Sequence, residues 1–132
     1  MAPRVWTIIV AAGSGSRFGA AKQFAPLAGA RVVDHSLTTA ARHSDGVVVV
    51  MPLARSEPID GVEGAVVVAG GATRSESVRC GLAAVPDDAD VVLVHDAARP
   101  LASDALYERV VGAVTAGAAA AIPTIGVTDT IR

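Results

Sequence analysis

Short apolar runs alternate along the chain with segments in which apolar residues recur every three or four positions. The runs cover Val5–Ala11, Val47–Met51, Ala65–Ala69, Val91–His95 and Ala118–Pro123. Each is too short for a helix and nearly continuous, the signature of strands buried on both faces, as in parallel sheets. The three-and-four spacing predicts helices over Val32–His43, Ser75–Val85 and Ser103–Ala116. Ser75 is placed to cap the second helix, and Ser103 or Asp104 the third. The order β-α-β-β-α-β-α-β predicts a three-layer, doubly wound α/β fold with a mostly parallel sheet and right-handed crossovers. Pro52–Gly64, with Pro58, Gly61 and scattered charges, reads as an exposed connection carrying a short helix or none. There is no repeat, low-complexity tract or second-domain linker, so residues 1–132 are expected to form a single domain.

Composition narrows the class. With 132 residues and 52% hydrophobic content the chain can bury one core, which excludes a disordered protein. A net charge of −2 without basic runs argues against a nucleic-acid surface, because phosphate tracking needs clustered Lys and Arg. The lone cysteine, Cys80, excludes an internal disulfide and reads as a small hydrophobe in a reducing compartment. Arg4 followed by apolar Val5 to Ala12 superficially resembles a signal peptide, but the glycine loop that comes next favours a strand and a ligand loop. No apolar run approaches the ~20 residues of a membrane span. A cytoplasmic protein with neither membrane nor nucleic-acid partner is expected.

Candidate chemistry collects at strand ends. Val91-Val-Leu-Val-His-Asp-Ala-Ala-Arg-Pro100 runs a buried strand into Asp96 and Arg99, where open α/β sheets bind ligands. Val5 to Ala11 runs likewise into Gly13-Ser-Gly-Ser-Arg17, with Lys22 beyond. Gly19 is followed by Ala20, so this is not a Walker A loop. Phe18 stands where a dinucleotide fingerprint needs its third glycine, and the strand ending in Met51-Pro52 lacks a ribose-binding acid. What remains is a loop whose backbone N–H groups can cradle phosphates beside two cations, suited to a triphosphate; the competing reading is a plain turn with solvated Arg17 and Lys22. The first and fourth predicted strands are expected to be neighbours at the switch point, so Asp96 would face the loop and could hold Mg²⁺ or another divalent cation. Asp96 could instead cap its own turn or pair with Arg99. His95 reads as a core histidine, and His35 and His43 are assigned no chemistry. Ala69-Gly-Gly-Ala-Thr-Arg-Ser-Glu-Ser-Val78 runs a strand into a helix start whose free N–H groups and Ser77 hydroxyl could read a base edge, or simply cap a helix.

Ala11-Ala-Gly-Ser-Gly-Ser-Arg17, Lys22-Gln-Phe24, Gly70-Gly71 with Arg74 and Ser77, His95-Asp-Ala-Ala-Arg-Pro100 and Asp129-Thr-Ile131 together resemble the 2-C-methyl-D-erythritol 4-phosphate cytidylyltransferases, in the correct order and over nearly the whole chain. The resemblance implies a sheet of the nucleotide-diphospho-sugar transferase (Rossmann-like) type. It implies transfer of CMP from CTP to methylerythritol 4-phosphate in the non-mevalonate isoprenoid pathway. By the same resemblance, the backbone of Ala11, Ala12, Gly13, Ser14 and Gly15 binds the CTP phosphates, and Arg17 and Lys22 stabilise the pentacoordinate transition state. Gly71 and Ser77 recognise cytosine, Asp96 serves metal and ribose, and Arg99 with Thr130 holds the sugar phosphate. Ala21 replaces the proline that commonly precedes the loop lysine. The chain is also shorter than members of that family: the C-terminal part, with the β-arm through which its subunits dimerise, is missing, so weak or no activity is expected of this portion alone. The nearest rival is ribitol 5-phosphate cytidylyltransferase, which often has a bulkier residue at the position of Ala98. A CTP-binding module without catalysis and a dinucleotide-dependent oxidoreductase are the other readings.

Overall fold

A computed structural model describes residues 1–13, 22–53 and 64–128. Four parallel strands form the central sheet in the order β5-β4-β1-β6, namely β1 (Val5–Val10), β4 (Gly46–Met51), β5 (Val66–Ala69) and β6 (Val91–Asp96). A second, two-stranded antiparallel sheet pairs β2 (Pro26–Leu27) with β3 (Ala30–Arg31). Its turn residues Ala28 and Gly29 both have positive φ, 48° and 85°. This hairpin is absent from the sequence prediction, because its strands are too short to leave a pattern.

The three helices match the expected segments closely. α1 spans Val32–His43, as predicted. It is amphipathic, burying Val33, Ser36, Leu37, Thr39 and Ala40. At its start Asp34 accepts from the backbone N–H of Arg31 at 3.0 Å and from its guanidinium at 2.8 Å. That guanidinium holds the Asp34 carboxyl below its ordinary pKa against the opposing effect of burial. α2 spans Arg74–Leu82 and starts one residue earlier than predicted, with Thr73 rather than Ser75 as cap. Thr73 Oγ1 accepts from Glu76 N, and the Glu76 carboxylate accepts from Thr73 N in return. A reciprocal capping box satisfies two otherwise orphaned donors, which decides between the two hydroxyls. α3 spans Asp104–Thr115, capped by Ser103 as expected.

The helices cover both faces of the sheet. On one face α1 and α3 pack over Ile9, Val47, Val49 and Met51, enclosing Leu37, Ala97 and Tyr107. On the other, Ile8, Val48 and Val50 form a second core with Trp6, Val10 and Val68 beside α2. Successive strand residues point to opposite faces, so the uninterrupted valines of β4 feed both cores. α2 approaches closely because residue 81 is glycine: a Cβ there would lie 2.5 Å from Ile8 Cγ2.

One predicted strand is not observed. After Gly117 the chain from Ala118 to Pro123 pairs with no strand of the described sheet, and Ile122 is 82% exposed, as is Ile125 beyond it at 90%. An apolar run becomes a strand only where a ladder accepts it, and the described sheet ends at β6. Between β6, α3 and residues 119–123 lies an open groove of about 660 Å³, walled by Leu93, Val110, Val114 and Ile122. Most of the Pro52–Gly64 connection, residues 54–63, lies outside the described residues.

Candidate functional site

The carboxyl ends of β1, β5 and β6 converge with the start of α2 at one edge of the sheet. β1 pairs with β6 in register from Val5↔Val91 to Val10↔Asp96, so the two strands are neighbours as expected. Asp96 therefore stands opposite the last residue of β1, immediately before the glycine loop. The chain leaves the strands along fixed paths: Ala11 N donates to Val50 O at 2.8 Å, Gly70 N to Met51 O at 2.8 Å and Ala97 N to Val10 O at 3.0 Å.

The start of the loop is held by a residue to which sequence reasoning gave no role. Gln23 is buried, and its Nε2 donates to Ala11 O at 2.9 Å and Gly13 O at 2.7 Å. One side-chain amide satisfies two main-chain carbonyls and fixes the curvature of residues 11–13. Gln23 lies in a single 3₁₀ turn, Lys22–Phe24, which also carries the exposed Lys22. The signal was an amide beside the loop lysine, legible only once the turn folds back. Ser14, Gly15 and Arg17 lie outside the described residues, as does Thr130.

On the α2 side, Gly70 lets three elements meet. A Cβ there would fall 2.5 Å from Ala12 Cβ and 2.7 Å from Ser77 Oγ. Ser77 is 2% exposed, and its Oγ accepts from Gly71 N at 3.2 Å. In this structure its oxygen shapes the turn into α2 from beneath, placing Gly71 over it.

Asp96 does not stand alone. Arg74, from the first turn of α2, donates Nε and Nη2 to Asp96 Oδ1 at 3.1 and 3.0 Å. Arg99 Nε lies 3.7 Å from the other oxygen, Oδ2. The Asp96 side chain is 37% exposed, so this charged triad faces solvent at the edge of the sheet. One carboxylate between two guanidiniums leaves an excess of positive charge, which favours an anionic ligand. No group of three or more His, Cys, Asp or Glu that could hold a metal occurs among the described residues. A Mg²⁺ site of one protein carboxylate completed by ligand phosphates and water suits this donor set, with Asp96 as the carboxylate.

His95 points to the opposite face, toward Tyr107 of α3, consistent with a buried histidine. His35 bonds the Leu27 carbonyl through Nε2 at 2.6 Å, tying the hairpin to α1. His43 bonds Asp104 at 2.7 Å; together with Arg42 it holds that carboxyl below its ordinary pKa. Cys80 is free and half-buried.

The architecture recurs in known proteins. The family model for 2-C-methyl-D-erythritol 4-phosphate cytidylyltransferase matches residues 5–132. A bifunctional enzyme IspD/IspF from Nitratidesulfovibrio vulgaris (strain DP4) is 44% identical over 149 residues, covering 98% of this chain and 37% of that protein. The crystal structure of 2-C-methyl-D-erythritol 4-phosphate cytidylyltransferase from Thermus thermophilus superposes with a TM-score of 0.75 at 35% identity, over 95% of this chain and 56% of that one. Rv0371c from Mycobacterium tuberculosis H37Rv, solved in complex with manganese, shares the fold at 23% identity, with a TM-score of 0.65 over 86% of this chain and 60% of that one. The chain thus spans little more than a third of the curated relative and about half of the Thermus structure. With the family model matched from the first strand to the last residue, the chain belongs to the 2-C-methyl-D-erythritol 4-phosphate cytidylyltransferase family.

Proposed function

We propose that this chain carries the nucleotide-binding half of a cytidylyltransferase that transfers CMP from CTP to 2-C-methyl-D-erythritol 4-phosphate, releasing pyrophosphate. The observation that carries the reading is the pairing of Val10 with Asp96, which supports a carboxylate acting beside the phosphate loop. In the reaction an oxygen of the acceptor's phosphate monoester attacks the α-phosphorus of CTP. The bond from that phosphorus to the bridging oxygen of the β-phosphate breaks, and pyrophosphate departs. The nucleophile is already an anion, so the protein supplies position and charge rather than a base.

Each residue has a part in this. The backbone of Ala11, Ala12, Gly13, Ser14 and Gly15 receives the phosphates, with Gln23 holding the strand-proximal end of that loop. Arg17 and Lys22 counter the charge that gathers on the α-phosphate and the leaving group. Gly71 and Ser77 frame the cytosine, and Arg99 with Thr130 receives the acceptor phosphate. Asp96 holds a divalent cation, Mg²⁺ in the first instance, together with the ribose region. A divalent ion held there would supply positive charge against the phosphate oxygens. A cytoplasmic location belongs to the same reading, supported by one unpaired cysteine and the absence, among the described residues, of any helix long and apolar enough to cross a membrane.

The test is pyrophosphate release from CTP and Mg²⁺ with methylerythritol 4-phosphate, beside ribitol 5-phosphate and a no-acceptor control. Weak release with the first acceptor, lowered further on the order of 10²-fold or more in Arg17→Ala, is the most that this portion of the family's length is expected to give. Release with ribitol 5-phosphate alone reassigns the acceptor. CTP-dependent thermal stabilisation without release from either acceptor reduces the chain to a CTP-binding module.

A further inference from the structure

The buried histidine beside Asp96 has no part in the chemistry above, yet both of its ring nitrogens are bonded. His95 is 8% exposed. Its Nε2 lies 2.8 Å from the carbonyl oxygen of Arg99, and its Nδ1 2.6 Å from the hydroxyl of Tyr107. A carbonyl can only accept, so Nε2 donates to it, and Nδ1 is left to pair with the tyrosine hydroxyl. Tyr107 is buried in turn, and its ring stacks on His43 of α1 with centroids 5.2 Å apart.

The turn after β6 is secured at two places of different kinds. Its near end is tied to the core: Ala97 N donates to Val10 O at 3.0 Å, and Ser36 Oγ donates to Ala97 O at 3.0 Å. Its far end holds by the bond from Arg99 N to Asp96 O at 3.0 Å and by His95 at the Arg99 carbonyl. The Arg99 side chain itself is 80% exposed and has little packing to fix its backbone.

We propose that His95, oriented by Tyr107, is a positioning residue: it clamps the Arg99 carbonyl from inside the fold, so that the guanidinium leaves the turn in the direction needed to meet the acceptor phosphate. The role of Arg99 rests on the functional reading above; the clamp does not. One ring therefore joins a strand, a helix and the turn that carries a charged group of the site.

The experiment compares wild type, His95→Leu and His95→Gln by amide hydrogen exchange and by steady-state kinetics. The glutamine keeps an N–H donor near the position of Nε2, whereas the leucine keeps only bulk. In His95→Leu the Arg99 amide should exchange at least about tenfold faster, while Val48, Val49 and Val50 keep their protection. KM for the acceptor should rise about tenfold with KM for CTP unchanged, and His95→Gln should recover most of both effects. Unchanged Arg99 exchange in His95→Leu overturns the proposal. So does an equal rise in the core valines, which makes His95 a general packing residue. If His95→Leu does not fold, His95→Gln decides alone: wild-type Arg99 exchange and acceptor KM support the clamp, and a tenfold rise in either overturns it. Faster Arg99 exchange in a protein whose wild type releases no pyrophosphate supports the clamp while removing the catalytic reading.

Discussion

Arg74 directs both its Nε and its Nη2 at a single oxygen of Asp96, leaving the other oxygen to Arg99 at 3.7 Å. The carboxylate at the mouth of the site is thus held from the α2 side. On the functional reading proposed above, a cation arriving with a nucleotide would meet Asp96 in competition with a guanidinium.

Removing either partner should therefore separate stability from binding. The Arg74 side chain is 61% exposed and that of Asp96 37%. Exposed pairs of this kind contribute only about 0–1 kcal/mol. Arg74→Ala and Asp96→Asn are each expected to shift the urea midpoint little, read by the fluorescence of Trp6, the single tryptophan. Asp96→Asn should weaken Mn²⁺-dependent CTP binding about tenfold or more in calorimetry. An equal loss with and without the ion would place Asp96 at the nucleotide rather than the metal.

Gln23 offers a sharper probe of the loop. In Gln23→Glu at neutral pH a carboxylate replaces the amide that donates to Ala11 O and Gly13 O. Two carbonyls lose their donor and face a charge, which should cost about 1–3 kcal/mol and lower CTP affinity. The sign of the pH dependence follows. Burial beside carbonyls raises the glutamic acid pKa in the folded state, so stability returns as pH falls through that value and one O–H donor is regained. Urea denaturation across the acidic range measures it.

Tyr107 sets the alkaline limit. Burial raises its pKa to about 12. A phenol whose folded pKa lies above its unfolded value contributes stability that is complete below the unfolded pKa and is lost as pH rises toward about 12. As this is the only tyrosine, phenolate absorbance reports it alone. The expected titration is near the folded value and coincides with unfolding. Tyr107→Phe should abolish the signal and cost about 1–2 kcal/mol at neutral pH, because His95 Nδ1 then loses its hydroxyl partner.

The features legible in the sequence were those carried by repetition. α1 emerges with its bounds intact because its apolar spacing is regular and its neighbours are a short hairpin and a strand. β1 and β6 follow from dense apolar runs ending in glycine or charge, and their adjacency follows from the logic of doubly wound sheets. Ala118–Pro123 misled because hydrophobicity states what a segment could bury, not whether a ladder is open to it. The α2 cap was missed for a local reason: Thr73 and Ser75 stand on either side of the first helical residue, and only Thr73 has an acid three residues on. Gln23 and the His95–Tyr107 pair were opaque for a third reason. Each depends on two segments meeting, and a polar residue bound to a main-chain carbonyl leaves no periodic trace.

The pairing of Val10 with Asp96 also fixes how this site can vary. Neighbouring residues on β6 serve opposite faces, His95 reaching Tyr107 and Asp96 reaching Arg74. One residue inserted or lost between Val91 and Asp96 would turn an imidazole toward Arg74 and drive a carboxylate against a buried phenol. The strand's length is therefore as constrained as its chemistry, and divergence among functional descendants of this chain should accumulate as length changes in the connections while this six-residue strand keeps its count.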